Sequence, residues 1–139
     1  MYRIVIVGFA HMHLKTLMDH FNALPGGVDW IGCADVAPFE TDPADGLSVR
    51  IKAMAQKLAL PRVYPSCQDL IALDPDIAIV CTDNRAHGAV VSDLLAHNIH
   101  TIVEKPMAMD LDDAVRMVQS EANSKATLAI NWPVVWQPA

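Results

Sequence analysis

The chain has 139 residues, of which 53% are hydrophobic, so it suits one domain with a sizeable core and excludes two domains of ordinary size. Its net charge of −6 and pI near 5.3 argue against a nucleic acid or an anionic membrane surface as partner, because both require clustered Lys and Arg. No window approaches the roughly 18 apolar residues of a membrane span, and the short N-terminal apolar run lacks a signal-peptide cleavage site. We therefore expect a cytoplasmic protein whose ligand is a small metabolite.

The three cysteines are widely spaced, and their number is odd. Cys33, Cys67 and Cys81 lie far apart in the chain, two of them in apolar, strand-like surroundings. We interpret them as reduced thiols, mostly in the core, rather than as a disulfide framework or a zinc cluster. A catalytic cysteine is the less favoured interpretation.

Short β-branched runs alternate with amphipathic stretches along the chain, which is the pattern of repeated β-α-β units. Six strands are predicted, at residues 3–7, 29–34, 62–64, 77–82, 101–104 and 127–132. The prediction is an α/β fold with a doubly wound, mostly parallel six-stranded sheet, as in Rossmann dinucleotide-binding domains. A single domain is expected over residues 1–131.

Five helices are predicted between these strands. The second should start near Asp42 and Pro43 with Asp42 as its cap, the third at a capping box opened by Ser66, and the fifth at Asp110. The positions expected to supply the apolar surface are Leu14, Leu17, Met18, Phe21 and Leu24 in the first helix, Leu47, Ile51, Met54 and Leu58 in the second, Val90, Val91, Leu94 and Leu95 in the fourth, and Val115, Met117 and Val118 in the fifth.

A candidate dinucleotide turn, GFAHMH at residues 8–13, follows the first predicted strand. Such a turn usually has three glycines, for the tight bend, for backbone approach to the pyrophosphate and for close helix packing. Here Gly8 makes the bend and Ala10 is small enough for the approach, whereas His13 must point outward if the site is intact. Gly8, Phe9, Ala10 and His11 are the cofactor-binding residues predicted in this turn.

Asp35 comes 22 residues after His13, at the end of the second predicted strand. A carboxylate at this place accepts hydrogen bonds from the ribose hydroxyls of NAD and repels the 2′-phosphate of NADP. No Arg or Lys follows within ten residues to receive that phosphate, so NAD is predicted over NADP. The alternative is a polar side chain that caps a loop.

The two histidines of the turn also raise the alternative of a metal site. Side chains two residues apart at a helix start diverge, and no Cys, Asp or Glu is close in sequence, so no metal is expected. His11 is either a donor to an anion at the helix N-terminus or a solvated imidazole in a loop.

Two motifs in the second half of the chain are more specific. TDNRAH at residues 82–87 and EKP at residues 104–106, with their surroundings, closely resemble the N-terminal domain of the glucose-fructose oxidoreductase and inositol dehydrogenase (Gfo/Idh/MocA) family. In that family one strand ends in Thr-Pro-Asn-x-x-His and the next in Glu-Lys-Pro. The resemblance covers essentially the whole chain and implies an NAD(P)-dependent oxidoreductase acting on a CH–OH group of a sugar or polyol.

The resemblance implies roles for the residues of the second motif. Lys105 would be catalytic, reaching the nicotinamide and the substrate hydroxyl, while Glu104 helps to hold the cofactor and Pro106 shapes the turn, for which a cis bond is one option. A lysine in a partly dry pocket can stabilise developing alkoxide charge or share in proton transfer. Its alternative is a surface lysine before a proline turn.

The first motif would line the cofactor on the other side of the crevice, through Thr82, Asn84 and His87. His87 has the alternative role of capping or solvating its helix. Asp83 departs from the family, which usually has proline there. A carboxylate beside a pyrophosphate is unfavourable unless it points to solvent or pairs with Arg85.

Family members continue into a second domain that completes the substrate site and forms oligomer contacts. Residues 132–139 would be the start of that missing domain or an exposed tail, whose Trp and Val side chains we expect a partner chain or further sequence to cover. The isolated chain is expected to associate, as a homo-oligomer or through this tail, and to bind NAD without turnover. The alternatives are a stand-alone nucleotide-binding or sensor module and a scaffold domain without cofactor.

Overall fold

A computed structural model of the chain describes residues 1–36 and 42–132. Six parallel strands form one sheet in the order β3-β2-β1-β4-β5-β6, which confirms the predicted doubly wound topology. The strands are β1 (Tyr2–Val7), β2 (Val28–Ala34), β3 (Val63–Tyr64), β4 (Ile77–Val80), β5 (His100–Glu104) and β6 (Leu128–Asn131). The helices are α1 (Leu14–Asn22), α2 (Val49–Lys57), α3 (Cys67–Ile71), α4 (His87–Ala96) and α5 (Leu111–Ala122).

Two cores cover the two faces of the sheet, because successive strand residues point to opposite sides. Ile4 and Ile6 of β1 pack with α1 and α2, whereas Val5 and Val7 pack with α3, α4 and α5. All four side chains are fully buried. The continuous apolar runs of the sequence are therefore central strands covered on both faces.

The start of α2 differs from the prediction. Asp42 caps a turn through the N–H of Ala44, and the helix begins only at Val49, where the hydroxyl of Ser48 accepts from the N–H of Ile51. Gly46, with φ at +72°, separates the two because a left-handed residue cannot continue a helix. The prediction that Asp42 caps α2 was therefore wrong, because Ser48 is the cap.

The other helix ends follow the sequence closely. Ser66 and Asp110 cap α3 and α5 by accepting backbone N–H bonds, as predicted. The apolar side chains of α4 are buried, but in α5 only Met117 is buried, while Val115 and Val118 are exposed. The prediction of core contacts on α5 was thus too broad.

Some predicted features lie outside the described residues. These are residues 37–41 of the loop that follows β2 and residues 133–139 of the tail. None of the helices in the described residues is long and apolar enough to span a membrane.

Candidate functional site

The carboxyl ends of β1, β2, β4 and β5 lie along one edge of the sheet because the strands are parallel. Gly8, Asp35 and Thr82 lie just beyond the first three of these ends, and Glu104 closes β5. The strand order changes direction between β1 and β4, and ligands of open α/β sheets bind at such a point. The structure thus brings the two sequence motifs and the turn to one edge.

Gly8 is required by the geometry of the turn. Its N–H donates to the Ala34 carbonyl at 2.8 Å, and the N–H of Ala10 donates to the Cys81 carbonyl at 2.7 Å. Gly8 has φ at +78°, and a Cβ atom on Gly8 would lie 2.7 Å from the Cα of Thr82. The turn therefore joins the ends of β2, β1 and β4 and leaves no room for a side chain.

The neighbours of Gly8 contribute differently. The Phe9 side chain is buried against α1 and α2, so only its backbone can face the edge. His11 Nε2 lies 3.1 Å from the Thr82 carbonyl, and because a carbonyl only accepts, this nitrogen carries the hydrogen. His11 is therefore held against the end of β4 rather than free in a loop.

His13 precedes α1 and reaches toward β5. Its Nδ1 atom lies 3.5 Å from Glu104 Oε2, and its side chain is 46% exposed. The imidazole is therefore not packed beneath the helix, which answers the question raised by the missing third glycine. Glu104 itself is 1% exposed and accepts a 2.7 Å hydrogen bond from Asn131 Nδ2.

A buried histidine supports the EKP turn. The Lys105-Pro106 bond is cis, and His87 Nδ1 donates to the Pro106 carbonyl at 3.0 Å. His87 is 0% exposed, so it is not a solvated cap, and its Nε2 atom has no hydrogen-bond partner among the described residues. It joins the start of α4 to the loop that carries Lys105.

Asp83 is exposed and accepts the N–H of Arg85 at 3.0 Å, so it caps a 3-10 turn over Asn84–Ala86. Within residues 1–36 and 42–132, no ion pair joins the Asp83 and Arg85 side chains. The sequence allowed the Asp83 carboxylate either to face solvent or to pair with Arg85, and the structure has it facing solvent. Asn84 Oδ1 is buried without a hydrogen-bond partner in the described part of the chain.

A cavity of about 690 Å³ lies between the end of β2, the start of α2 and the loop after β4. Small-molecule sites usually have volumes of about 300–1,000 Å³. The lining residues are Asp35, Val36, Arg50, Thr82, Asp83, Arg85 and Ala86. Three of the predicted site residues therefore share one cavity.

Asp35 has two partners that the sequence did not reveal. Arg50 donates from Nη2 to Oδ1 at 2.6 Å and from Nε to Oδ2 at 3.2 Å, while the Ser48 hydroxyl donates to Oδ2 at 2.9 Å. The N–H of Val36 donates to Oδ1 at 3.0 Å. Arg50 lies 15 residues after Asp35, outside the ten residues considered for a phosphate partner. A correct start for α2 would have placed it in the first turn, beside the end of β2.

The thiol groups of the cysteines are not assigned a chemical role in this site. Burial, together with the nearby Asp35 carboxylate, raises the pKa of the Cys33 thiol to about 12. Burial likewise raises the pKa of Cys67 to about 12 and that of Cys81 well above its usual range. Thiols that hold their protons are poor nucleophiles. In the described residues, no three His, Cys, Asp or Glu side chains are placed to hold a metal ion.

Residues 2–132 match the model of the Gfo/Idh/MocA family, described as an oxidoreductase family with an NAD-binding Rossmann fold. The chain belongs to this family. It is 32% identical over 92 residues to myo-inositol dehydrogenase Hyg17 of Streptomyces leeuwenhoekii, covering 66% of this chain and 25% of the relative. It is 28% identical over 81 residues to myo-inositol 2-dehydrogenase of Thermotoga maritima, covering 57% and 24%.

Among solved structures, the chain is similar to an oxidoreductase from Agrobacterium radiobacter in complex with NAD+, L-tartaric acid and magnesium. The TM-score is 0.77 at 23% identity, over 98% of this chain and 36% of that one. This similarity confirms the fold. The chain spans between 14% and 32% of the length of the two myo-inositol dehydrogenases and three further curated relatives.

The residues present suit the NAD that this family binds. The glycine turn leaves no room for a Cβ and opens onto the start of α1, whose N–H groups favour an anion such as a pyrophosphate. The cavity beside Asp35 has room and polar groups for the adenosine end. Gly8, Ala10 and the cavity residues would therefore hold the dinucleotide.

Proposed function

We propose that this chain is the cofactor-binding domain of a dehydrogenase that transfers hydride between NAD and a CH–OH group of a sugar or polyol. The observation that carries the proposal is the meeting of the Gly8 turn and the Glu104-Lys105-Pro106 turn at one sheet edge. The two myo-inositol dehydrogenases among the relatives support a polyol or sugar substrate.

Lys105 is the proposed catalytic residue. It follows β5 and is partly buried, and the loop after it is fixed by the bond from His87 to the Pro106 carbonyl. A lysine carried on a loop fixed in this way can stabilise the alkoxide that forms as hydride leaves, or share in moving the hydroxyl proton. When bound, the nicotinamide supplies the hydride chemistry. The buried Glu104, held by Asn131, positions the strand end before Lys105.

Substrate binding and association are assigned to further sequence or to a partner chain. Trp132 is 51% exposed, and Leu111, Val115 and Val118 present apolar surface on α5. We propose that a second domain or a further copy of the chain covers such surface, and that the chain alone binds the cofactor without turnover. The three free thiols support a cytosolic location, where reducing conditions prevail.

A titration of the chain with NADH, followed by fluorescence, tests cofactor binding. We expect a Kd below about 1 mM, the upper range of typical enzyme affinities, and no reduction of NAD with myo-inositol or glucose. Saturating NADH should also raise the Tm. If neither NADH nor NADPH binds, a scaffold domain is the better description. If the isolated chain turns over substrate, the requirement for a second domain is wrong.

The role of Lys105 is tested in whichever length of the gene product shows turnover. Lys105→Gln should lower kcat about 10²- to 10⁴-fold, the usual contribution of a group that transfers a proton. NADH affinity should change little. Lys57→Gln, at the exposed end of α2, is the matched control and should leave both unchanged. Equal kcat values for the two variants would contradict the catalytic role.

A further inference from the structure

The buried carboxylate of Asp35 has no open acceptor site. An ionised carboxylate offers about four lone-pair sites, and those of Asp35 receive two N–H groups from Arg50, one from Val36 and the hydroxyl of Ser48. Its side chain is 1% exposed. A ribose hydroxyl could therefore bind this carboxylate only by displacing one of its present donors.

A ligand in the cavity would meet the exposed guanidinium of Arg50 rather than the buried carboxylate of Asp35. A guanidinium has five N–H donors, and Asp35 accepts from two of them, which leaves three for a ligand. The Arg50 side chain is 51% exposed and lines the cavity. A ligand can therefore reach Arg50 without breaking its pair with Asp35.

The charges around this cavity are balanced. Arg50 and Arg85 are its two cationic lining residues, and Asp35 and Asp83 are its two carboxylates. Asp35 is neutralised directly by Arg50, and Asp83 is turned to the N–H of Arg85. The repulsion of a phosphate that an unpaired Asp35 would cause is thus offset within the protein.

We propose that Arg50 determines cofactor specificity at the adenosine end, and that its guanidinium, rather than the Asp35 carboxylate, donates to the group at the ribose 2′ position. The chain then accepts the 2′-phosphate of NADP as well as the 2′-hydroxyl of NAD. This inference rests on the proposed dinucleotide binding. It revises the preference for NAD over NADP predicted from the sequence, which assumed that Asp35 is unpaired and that no cation lies within reach of the 2′ position.

Binding of NADH and NADPH to the chain, measured by fluorescence titration, tests this inference. Calorimetry with ADP and 2′,5′-ADP isolates the effect of the 2′-phosphate. We expect the two dinucleotides to bind within about tenfold of each other. Arg50→Gln should weaken NADPH and 2′,5′-ADP by roughly ten- to a hundredfold, the worth of a hydrogen bond to a charged group, and change NADH less than threefold.

Arg3→Gln is the matched control, because Arg3 is exposed at the start of β1, at the opposite edge of the sheet from the cavity, where it donates to the Asp74 carbonyl. It should leave all four affinities unchanged. If Arg50→Gln fails to fold, Arg50→Lys keeps the charge but loses the bidentate fork, and should weaken NADPH selectively by a smaller factor.

Two results would overturn the inference while leaving the proposed function intact. The first is a wild-type chain that binds NADH more than about tenfold tighter than NADPH. The second is an Arg50 variant, Arg50→Gln or its folded substitute Arg50→Lys, that weakens both dinucleotides equally. If the wild-type chain binds neither dinucleotide, the proposed function fails and the inference fails with it.

Discussion

Replacing Gly8 with Ala should lower the free energy of unfolding by about 2–5 kcal/mol. A residue with a side chain at φ +78° costs roughly 1–2 kcal/mol, because its Cβ crowds the backbone in the left-handed region. The new Cβ would also lie 2.7 Å from Thr82 Cα and 2.8 Å from Thr82 N. These are backbone atoms at the end of β4, so relief requires β1 and β4 to separate, and overpacking of this kind costs about 1–3 kcal/mol.

Gly46→Ala separates the two contributions. Gly46 has φ at +72° but no atom within 4 Å of the Cβ position, so its replacement should cost only the backbone part, about 1–2 kcal/mol. Urea unfolding followed by circular dichroism measures both variants, with unchanged m-values as evidence that only stability has changed. If Gly8→Ala and Gly46→Ala differ by less than about 0.5 kcal/mol, the crowding against Thr82 is not significant and the reasoning is refuted.

Three further predictions use the same unfolding assay. Glu104→Ala should cost about 1–3 kcal/mol because it leaves Asn131 Nδ2 buried without an acceptor, whereas Glu104→Gln, which keeps an acceptor, should cost less than 1 kcal/mol; equal losses would contradict this. Ser48→Ala should cost about 1–2 kcal/mol, since α2 loses its cap and Asp35 loses a donor; an unchanged midpoint would argue against both contacts. Burial holds the pKa of Cys33 at about 12 in the folded chain, so between pH 9 and 12 the folded state keeps a proton that the unfolded state releases, and stability should fall by up to about 1.4 kcal/mol per pH unit. Cys33→Ala should show a shallower alkaline slope, and an identical slope would refute the assignment.

The sheet was predictable because its signal is local. Strand residues such as Val5 and Ile6 are apolar and β-branched in succession, and such short runs between helical patterns are typical of strands covered on both faces. The caps of α3 and α5 were also predictable, because Ser66 and Asp110 each bond an N–H only three residues away. These two caps, each decided within three residues of sequence, were predicted correctly.

The contacts of the site were less predictable because they depend on longer distances. Asp42 and Ser48 both have side chains that can cap a helix, and the backbone of Gly46 decides between them. The error at the start of α2 then hid the contact from Arg50 to Asp35, 15 residues apart. The bond from His87 to the Pro106 carbonyl spans 19 residues and requires α4 and the EKP turn to be placed first.

The two buried carboxylates at the ligand edge, Asp35 and Glu104, are both satisfied by residues outside the family motifs. Arg50 forms an ion pair with Asp35. Asn131 donates a hydrogen bond to Glu104, and His13 Nδ1 lies 3.5 Å from Glu104 Oε2. Burying a charge is costly unless it is paired and hydrogen-bonded, and an unpaired carboxylate would also repel a pyrophosphate. A dinucleotide bound as proposed would meet carboxylates that already have hydrogen-bond partners, so we expect cofactor choice to depend on these partners as well as on the glycine turn.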